Sequence, residues 1–341
     1  MNAAEFDPSP ELQAATRLVG DGVVDIARVG GGRNSRVYRV NAGRNIFALK
    51  QYPSIENDPR DRLTTETRAL QWMAEHGVQV VPRVIAVDRV SNCALLSWAD
   101  GSIVRKVGIA DVDQAAIFLD SLERLRRGFD FPSAQLASEA CLSGAEIERQ
   151  IRARLFRLQN LEDEPELRAF LDREFAVRFD QLLPAVQKQL SSAGLCFDHE
   201  LSPEKRTLVP SDFGFHNALR DAAGLLTFLD FEYFGWDDPV KLMSDSLLHP
   251  GTPIAAPVRL HFHRAIRRVY EREPDFASRF DALYPLFGLR WVLILLNEFH
   301  PERWRGRALA GDRDDWQSAK QRQLRAARAM LAELGGLGGI V

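Results

Sequence analysis

The stretch from Thr207 to Asp238 limits the possible folds of this 341-residue chain more than any other. It contains a short apolar pair, Leu208–Val209, and two further strand-like segments at residues 218–220 and 225–229. A turn that contains glycine, at residues 221–224, joins these two segments. Strand-like segments joined in this way predict a β-hairpin.

Three polar residues flank the predicted hairpin. Asp212 lies in the loop before it, Asn217 comes five residues later, and Asp230 follows thirteen residues after Asn217. Strand pairing can bring their side chains to one edge of the sheet. Two carboxylates and an amide suit phosphoryl transfer, in which one acid holds an acceptor hydroxyl and the other two groups hold magnesium against the phosphates. The alternative is that all three are ordinary turn formers, because Asp and Asn favour turns.

The spacing D-x-x-x-x-N, followed by D-F-x, resembles the catalytic and metal-binding loops of protein-kinase-like enzymes. The continuation Asp230-Phe231-Glu232, then Gly235 and Asp237-Asp238-Pro239, is similar to the aminoglycoside phosphotransferase and choline kinase family. In that family an acidic or aromatic residue commonly replaces the glycine of D-F-G. The chain departs from the family at Pro210-Ser211, where His-Gly is usual, and this departure concerns the support of the loop more than its chemistry.

The resemblance implies an α+β, bilobal, protein-kinase-like fold. Residues 1–99 are then a nucleotide-binding lobe with a small antiparallel sheet and one helix. Residues 100–341 are a larger, mainly helical lobe for catalysis and acceptor binding. The resemblance extends over nearly the whole chain through the order of its elements, although its specific motifs occupy only a small part of it.

The residue pattern of the first lobe agrees with this expectation. Alternating apolar and polar residues predict antiparallel strands with one face in water. The predicted strands are Val23–Val29, Ser35–Val40, Ile46–Tyr52, Val84–Val90 and Cys93–Trp98. A short helix is predicted from Pro10 to Leu18, with Ser9 as its N-cap.

The loop between the first two strands is glycine-rich. Glycines let backbone N–H groups approach phosphate oxygens closely, although many hairpins need glycine for turn geometry alone. The resemblance assigns nucleotide binding here to Gly30, Gly31, Gly32, Asn34 and Ser35.

Two charged residues follow in the order that the family requires. Lys50 occupies the place of the phosphate-binding lysine on the third strand, and Glu66 that of the glutamate that holds it. Glu66 lies on a predicted helix that opens at Asp58–Pro59, with Asp58 as N-cap. The alternative for both side chains is simple solvation. At the end of the fifth strand, Ser97, Trp98 and Ala99 correspond to the hinge that binds the adenine ring.

Helical periodicity dominates the second lobe. Helices are predicted at Val112–Gly128, Gly144–Gln159, Pro165–Leu190, Pro239–Leu248, Pro257–Glu273, Phe276–Phe299 and Asp314–Leu334.

The resemblance implies an ATP- and Mg²⁺-dependent small-molecule kinase. Asp212 would be the catalytic carboxylate that accepts, or simply orients, the proton of the acceptor hydroxyl, and Asn217 and Asp230 would be the metal ligands. Asp237 and His216 are secondary candidates: Asp237 braces the loop or borders the substrate site, and His216 is more typical of a structural or turn residue than of a base. The alternatives are a nucleotide-binding pseudokinase or regulator, a protein kinase, which the lack of an A-P-E segment disfavours, and an aminoglycoside antibiotic kinase.

The acceptor is predicted to be sugar-like or an amino alcohol. Kinases for polycationic aminoglycosides line the acceptor region with acids, whereas the chain after Pro301 is rich in arginine. Arginines that face the acceptor would favour a neutral or anionic molecule, but they can equally be solvated. Tryptophans could also supply an aromatic cage for a choline-type acceptor, although core packing is their commoner role.

Composition gives no support to a nucleic-acid-binding, membrane-bound or secreted protein. A net charge of −3 gives no indication of nucleic acid or of an acidic membrane surface as a partner. Three widely spaced cysteines form no metal pattern and predict reduced thiols. The first residues lack the features of a signal peptide, and the most apolar stretch, Trp291–Leu296, is too short to span a bilayer. We therefore expect a soluble, cytoplasmic protein.

Overall fold

The computed structural model describes residues 9–20, 23–29, 35–54, 58, 60–128, 131–251, 254–304 and 315–335. The chain divides into two compact units. The first unit combines residues 1–104 with residues 217–234, and the second combines residues 105–216 with residues 235–341. The antiparallel sheets and many helices confirm the α+β fold class.

The first unit contains a five-stranded antiparallel sheet in the order β1-β2-β3-β5-β4. Its strands are β1 Val23–Val29, β2 Arg36–Ala42, β3 Asn45–Gln51, β4 Val84–Asp88 and β5 Cys93–Ser97. Helix α1, Pro10–Val19, packs its Ala14 and Ala15 against apolar residues of the sheet, such as Leu49 and Leu95. These five strands and the Ser9 cap of α1 agree with the sequence prediction to within a few residues.

Helix α2, Arg62–Glu75, begins later than predicted. Asp61 is its N-cap and accepts a hydrogen bond from the Thr64 N–H at 3.0 Å. The prediction that Asp58 caps the helix is wrong, because its carboxylate pairs instead with Arg60 and Arg62. Pro59 lies outside the described residues.

The predicted hairpin forms a second sheet of the first unit. Strand β6, Ser102–Ile103, pairs with β8, Ala218–Arg220, and β8 pairs with β9, Leu226–Phe228. In the connecting turn, the Asp221 carboxylate accepts hydrogen bonds from the N–H groups of Ala223 and Leu225. Gly224 adopts a φ of 85°, which glycine accommodates without strain. The turn composition therefore accounts for the hairpin.

The second unit is mainly helical. Its helices are α3 Ile109–Gly128, α4 Gly144–Gln159, α5 Pro165–Phe170, α6 Ala176–Ser192, α7 Pro239–Leu248, α8 Ala256–Tyr270, α9 Phe276–Leu295 and α10 Trp316–Gly335. The single helix predicted from Pro165 to Leu190 is divided by a π-helical turn at Leu171–Phe175. The unit also contains a short antiparallel pair, β7 Thr207–Val209 with β10 Gly235–Asp237.

Helix α9 forms the centre of this unit, where α4, α6, α7 and α10 pack against it. With the turn that follows it, the segment Phe276–Phe299 is long and apolar enough to cross a membrane by length and composition. However, 78% of its most apolar window is buried inside the protein, as in the core helix of a soluble protein. The cysteines Cys93 and Cys141 are buried and Cys196 is exposed, and all three are free thiols.

Candidate active site

The β8–β9 hairpin places Asn217 and Asp230 at the same end of the first unit's small sheet. Ala218 pairs with Phe228, and the Leu229 N–H donates to the Asn217 carbonyl at 2.8 Å. Asp230 is therefore one residue beyond the partner of Asn217. Its φ of 69° lies in the left-handed region, which few residues other than glycine adopt. Such a conformation persists where the surroundings determine it, often at functional sites.

Lys50 lies on β3 and is buried among acids of the same unit. Its Nζ lies 2.6 Å from Glu66, 2.7 Å from Asp230 and 3.5 Å from Glu232. Burial alone would lower the pKa of Lys50, but Asp230 and Glu66 outweigh it and hold the pKa well above its usual range. The lysine is therefore a permanent cation with a fixed position.

Glu66 uses both carboxylate oxygens. Oε2 accepts from Lys50 and, at 2.8 Å, from the Tyr52 hydroxyl. Oε1 accepts from the backbone N–H of Phe231 at 3.1 Å. Glu66 thus connects the lysine to the loop that carries Asp230.

Glu232 belongs to the same cluster, although it was not among the site residues predicted from the sequence. It is 2% exposed, accepts a hydrogen bond from the Ser35 hydroxyl at 2.7 Å, and forms an ion pair with Arg62. Arg62 also donates to Asp58 at 2.9 Å. Two signals could have found these residues: Glu232 is the acid in place of the D-F-G glycine, and Arg62 lies one helical turn before Glu66 on α2.

The donor groups at this position fit a hard divalent cation. Carboxylate oxygens of Glu66, Asp230 and Glu232 lie within 4.8 Å of one another. Carboxylate and amide oxygens are the ligands that Mg²⁺ prefers. Burial raises the pKa of Asp230, Lys50 opposes this shift, and Glu232 and Glu66 add to it, so the net pKa is raised. A bound cation would remove this excess of negative charge.

Asp212 lies in the second unit, in the loop after β7. It has a φ of 51° and follows Ser211, which has a φ of 48°. Its Oδ1 lies 3.2 Å from Nε2 of His249 and 3.4 Å from Nε2 of His216. Burial alone would raise the pKa of Asp212, but the two imidazoles outweigh it and hold the pKa well below its usual range. Asp212 is therefore a carboxylate at neutral pH.

Asp237 is fully buried in the second unit. Its Oδ1 accepts from the N–H groups of Cys141 and Asp238, both at 2.8 Å, and its Oδ2 lies 3.1 Å from Nζ of Lys241. Burial raises the pKa of Asp237, and Lys241 opposes this shift. Of the two roles predicted for Asp237, these contacts favour bracing the loop.

The other predicted site residues are those of the hinge and of the glycine-rich loop. Ser97 ends β5, and its hydroxyl accepts from the Arg83 N–H at 2.9 Å. The indole N–H of Trp98 donates to Asp100 at 2.9 Å, and Arg39 lies 5.4 Å from its ring centroid. Ala99 is half-buried. Gly30, Gly31, Gly32 and Asn34 lie outside the described residues.

Solved structures share this fold at low sequence identity. Choline kinase LicA from Streptococcus pneumoniae matches with a TM-score of 0.57 and 14% identity, over 95% of this chain and 100% of its own. Aminoglycoside phosphotransferase APH(2'')-Ib, in its ADP-bound form, matches with a TM-score of 0.58 and 13% identity, over 95% and 97%. An aminoglycoside 2'-phosphotransferase in complex with GDP matches with a TM-score of 0.61 and 17% identity, over 96% and 100%.

No curated protein sequence matches this chain. Residues 25–241, however, match the sequence profile described as the phosphotransferase enzyme family, APH. The matched region spans more than half of the chain and includes the Lys50 cluster, the hairpin and Asp212. This chain belongs to the phosphotransferase enzyme family.

Proposed function

We propose that this phosphotransferase uses ATP and Mg²⁺ to phosphorylate a hydroxyl group of a sugar-like or amino-alcohol metabolite in the cytoplasm. The observation that carries the proposal is the Lys50 cluster. A buried lysine is paired with Glu66 and Asp230, next to the strand end that also carries Asn217. A lysine side chain that is simply solvated would be neither buried nor paired with two acids.

The first unit would hold the nucleotide. Lys50, fixed by Glu66, would bind the α and β phosphates, as the corresponding lysine does in kinase-like sites. The glycine-rich segment from Gly30 to Ser35 would cover the phosphates, and Ser97 to Ala99 would contact the adenine. Relatives of the same fold with bound ADP or GDP support nucleotide binding.

The metal would be held by Asn217 and Asp230, with Glu232 close by. Magnesium supplies charge that neutralises the phosphate oxygens as the γ-phosphoryl group is transferred. The protein's own contribution is to fix the ligand positions: the hairpin register holds Asn217, and Lys50 and the Glu66–Phe231 hydrogen bond hold the Asp230 loop.

Asp212 would orient the acceptor. The acceptor oxygen attacks the γ phosphorus, the bond from this phosphorus to the β–γ bridging oxygen breaks, and ADP leaves. The hydroxyl proton passes to the Asp212 carboxylate or to water. Phosphoryl transfer proceeds through a loose transition state that needs positioning more than a strong base. The lowered pKa of Asp212 supports a group that mainly aligns the hydroxyl.

A cavity of 660 Å³ in the second unit supports a polar acceptor. Its walls come largely from α4 and the segment before it, and they carry both acids and arginines, among them Glu139, Arg149 and Arg154. Walls of mixed charge suit a hydroxyl-rich molecule better than a polycation. Arg290 pairs with Glu139 in the wall of this cavity and with Asp245 on α7.

Calorimetry of Mg-ATP binding tests the nucleotide and metal assignments. Asp230→Ala should weaken Mg-ATP binding and abolish turnover against any acceptor found in a screen of hydroxyl metabolites, while the protein stays folded. Glu75→Ala, at the exposed end of α2, is the matched control. Unchanged Mg-ATP affinity and turnover in Asp230→Ala would exclude this residue as a metal ligand.

A further inference from the structure

Two histidines of the second unit meet at the carboxylate of Asp212. His216 lies in the short turn Phe215–Asn217, and His249 directly follows α7. Their rings are stacked, with centroids 3.8 Å apart and planes inclined by 4°. Both Nε2 atoms lie near the same oxygen, Asp212 Oδ1, at 3.4 and 3.2 Å. His216 and His249, which are far apart in the sequence, therefore lie near the same carboxylate oxygen.

A backbone hydrogen bond fixes the tautomer of His249. The N–H of Gly251 donates to His249 Nδ1 at 2.9 Å, so this nitrogen carries a lone pair and no proton. In the neutral imidazole the proton must then be on Nε2. His249 is thus a hydrogen-bond donor directed at Asp212.

The packing around the two rings keeps them in place. The edge of Trp291 meets His249 at a centroid distance of 4.9 Å, and its indole N–H donates to Asp245 at 2.7 Å. Two glycines allow the rings to approach the backbone. A Cβ at Gly251 would lie 2.6 Å from Cε1 of His249, and one at Gly214 would lie 2.7 Å from Nδ1 of His216. Any larger residue at either position would displace a ring.

The backbone of the Asp212 loop needs such support. Ser211 and Asp212 are consecutive residues with left-handed φ values, each of which is unfavourable for a side-chain-bearing residue. The hydroxyl of Ser211 is buried and makes no hydrogen bond with the described residues. The two imidazoles contact Asp212, whereas the hydroxyl of Ser211 does not hold the loop by a hydrogen bond with the described residues.

We propose that His216 and His249 are positioning residues, which hold the Asp212 carboxylate in the orientation that aligns the acceptor hydroxyl. The Nε2–H of His249 faces Oδ1, and the ring of His216, stacked on that of His249, holds it in place. This assignment rests on the proposed kinase function. Neither histidine touches the substrate in this account, and each acts through Asp212.

A transition-metal site is the competing interpretation, because two imidazoles and a carboxylate are a possible ligand set. Binding through Nε2 requires a lone pair on that atom, and a ligating histidine usually donates a proton from its other nitrogen. His249 Nδ1 instead accepts from Gly251. The geometry therefore favours hydrogen-bond donation over metal binding.

The kinetic test compares two substitutions of His249. His249→Phe keeps a ring for stacking but removes the donor, and His249→Gln keeps an N–H donor without the ring. With an acceptor found by screening, His249→Phe should lower kcat by about 10²-fold, the cost of a misplaced reacting group, with little change in the KM for ATP. His249→Gln should recover most of this loss. Equal activity of His249→Phe and the parent, or equal loss in both variants, would overturn the proposal.

Two controls separate positioning from folding. His261→Phe removes a surface histidine that pairs with Asp113 and should leave kcat unchanged. Gly251→Ala keeps both histidines but places a methyl group against their rings, so it should lower kcat in the same way as His249→Phe. If Gly251→Ala retains full activity, the position of the rings is irrelevant and the proposal fails.

A spectroscopic test needs no acceptor. Nitrogen NMR of the histidine side chains should show His249 as the Nε2–H tautomer, with a hydrogen-bonded proton resonance that is lost in Asp212→Ala. A Nδ1–H tautomer would contradict the proposal, and so would stoichiometric zinc in the purified parent that His249→Gln lacks. If the tautomer is as expected but the parent phosphorylates no hydroxyl, the kinase function fails while the contact of His249 with Asp212 stands.

Discussion

Asp212 and Asp230 are the two aspartates on which the proposed chemistry depends, and both have left-handed backbone conformations, with φ of 51° and 69°. Each such residue costs about 1–3 kcal/mol and persists where its surroundings over-determine it. At Asp230 these surroundings are Lys50 and the Glu66–Phe231 hydrogen bond, and at Asp212 they are two imidazoles. In each unit, side-chain contacts therefore fix a strained acid.

The substitution Asp212→Asn tests the role of the carboxylate at this scale. Asn keeps the size and tolerates the left-handed conformation, but it removes the negative charge. We expect Mg-ATP affinity to change little and kcat to fall by about 10²–10⁴-fold, the usual contribution of a positioned acid–base group. Steady-state kinetics with Asp180→Asn, an exposed acid on α6, as control would decide this. Activity within a few-fold of the parent would show that Asp212 is only a turn former.

Glu232→Gln tests the role of Glu232, which was not predicted from the sequence. The substitution removes the charge that pairs with buried Arg62 and lies 3.5 Å from Lys50. Because a buried charged hydrogen bond is lost, the free energy of unfolding should fall by about 2 kcal/mol. Urea unfolding measures this value, and Glu75→Gln at the exposed end of α2 should change it little. A Glu232→Gln protein as stable as the parent would contradict the role of Glu232 in the cluster.

At the scale of elements, the strands and helices that depend on local residue patterns were predicted from the sequence. The five strands of the larger sheet, the β8–β9 hairpin and helices such as α4 follow from periodicity and turn residues. Strands β6 and β10 were not predicted, because segments of two and three residues are defined by partners distant in the sequence. The start of α2 was misplaced because Asp58 and Asp61 are both possible caps, and tertiary pairing of Asp58 with arginines decides between them.

In the candidate site, too, sequence motifs were predicted and contacts between distant residues were not. The resemblance of the motif order to the family singled out Lys50, Glu66, Asp212, Asn217 and Asp230. The partners of these residues were not predicted, since Ser35 meets Glu232 across 197 positions of the chain. His249 carried no motif at all, and only the fold brings it to Asp212.

Glu139, in the segment before α4, interacts with basic residues of α4, α7 and α9, and these interactions predict how stability depends on pH. Burial alone would raise the pKa of Glu139, but Arg154, Arg290 and Lys241 outweigh it and lower the pKa from 4.5 to about 2. A carboxyl with a lowered folded-state pKa stabilises the protein above its unfolded pKa, and this contribution is lost as the pH falls from 4.5 toward about 2.

Glu139→Gln should therefore lower stability near neutral pH and reduce the loss of stability on acidification. The Glu139 side chain is 45% exposed, so solvent screening limits the effect to about 1 kcal/mol. Urea unfolding at about pH 7 and about pH 3 measures both values. The control Glu148→Gln removes a surface pair with Arg152 and should change stability by less than about 0.5 kcal/mol. The same acid sensitivity in Glu139→Gln as in the parent would contradict the assignment.

At the scale of the whole molecule, the proposed chemistry is distributed over both units. The first holds Lys50, Glu66, Asn217 and Asp230, and the second holds Asp212 with its two histidines. The chain passes directly from one set to the other, since Asn217 is the fifth residue after Asp212 in the sequence. Nucleotide binding and acceptor orientation are thus assigned to different units of one phosphotransferase.

This division predicts where nucleotide binding changes hydrogen exchange. Mg-ATP at about 100 times its Kd should stabilise the protein by about 2.7 kcal/mol. Amide protection should increase in β3, in α2 and in residues 217–234, including the Phe231 N–H that donates to Glu66. Hydrogen exchange with mass spectrometry resolves these segments. Protection confined to the second unit would contradict the assignment of nucleotide binding to the first.

Phosphorus NMR of the purified protein with Mg-ATP and a panel of hydroxyl metabolites tests the central claim most directly. We predict a new phosphomonoester resonance with one of the acceptors, formed in equal amount with ADP, dependent on Mg²⁺ and absent in Asp230→Ala. Release of inorganic phosphate alone, phosphate on protein, or tight Mg-ATP binding without transfer to any hydroxyl would contradict the account.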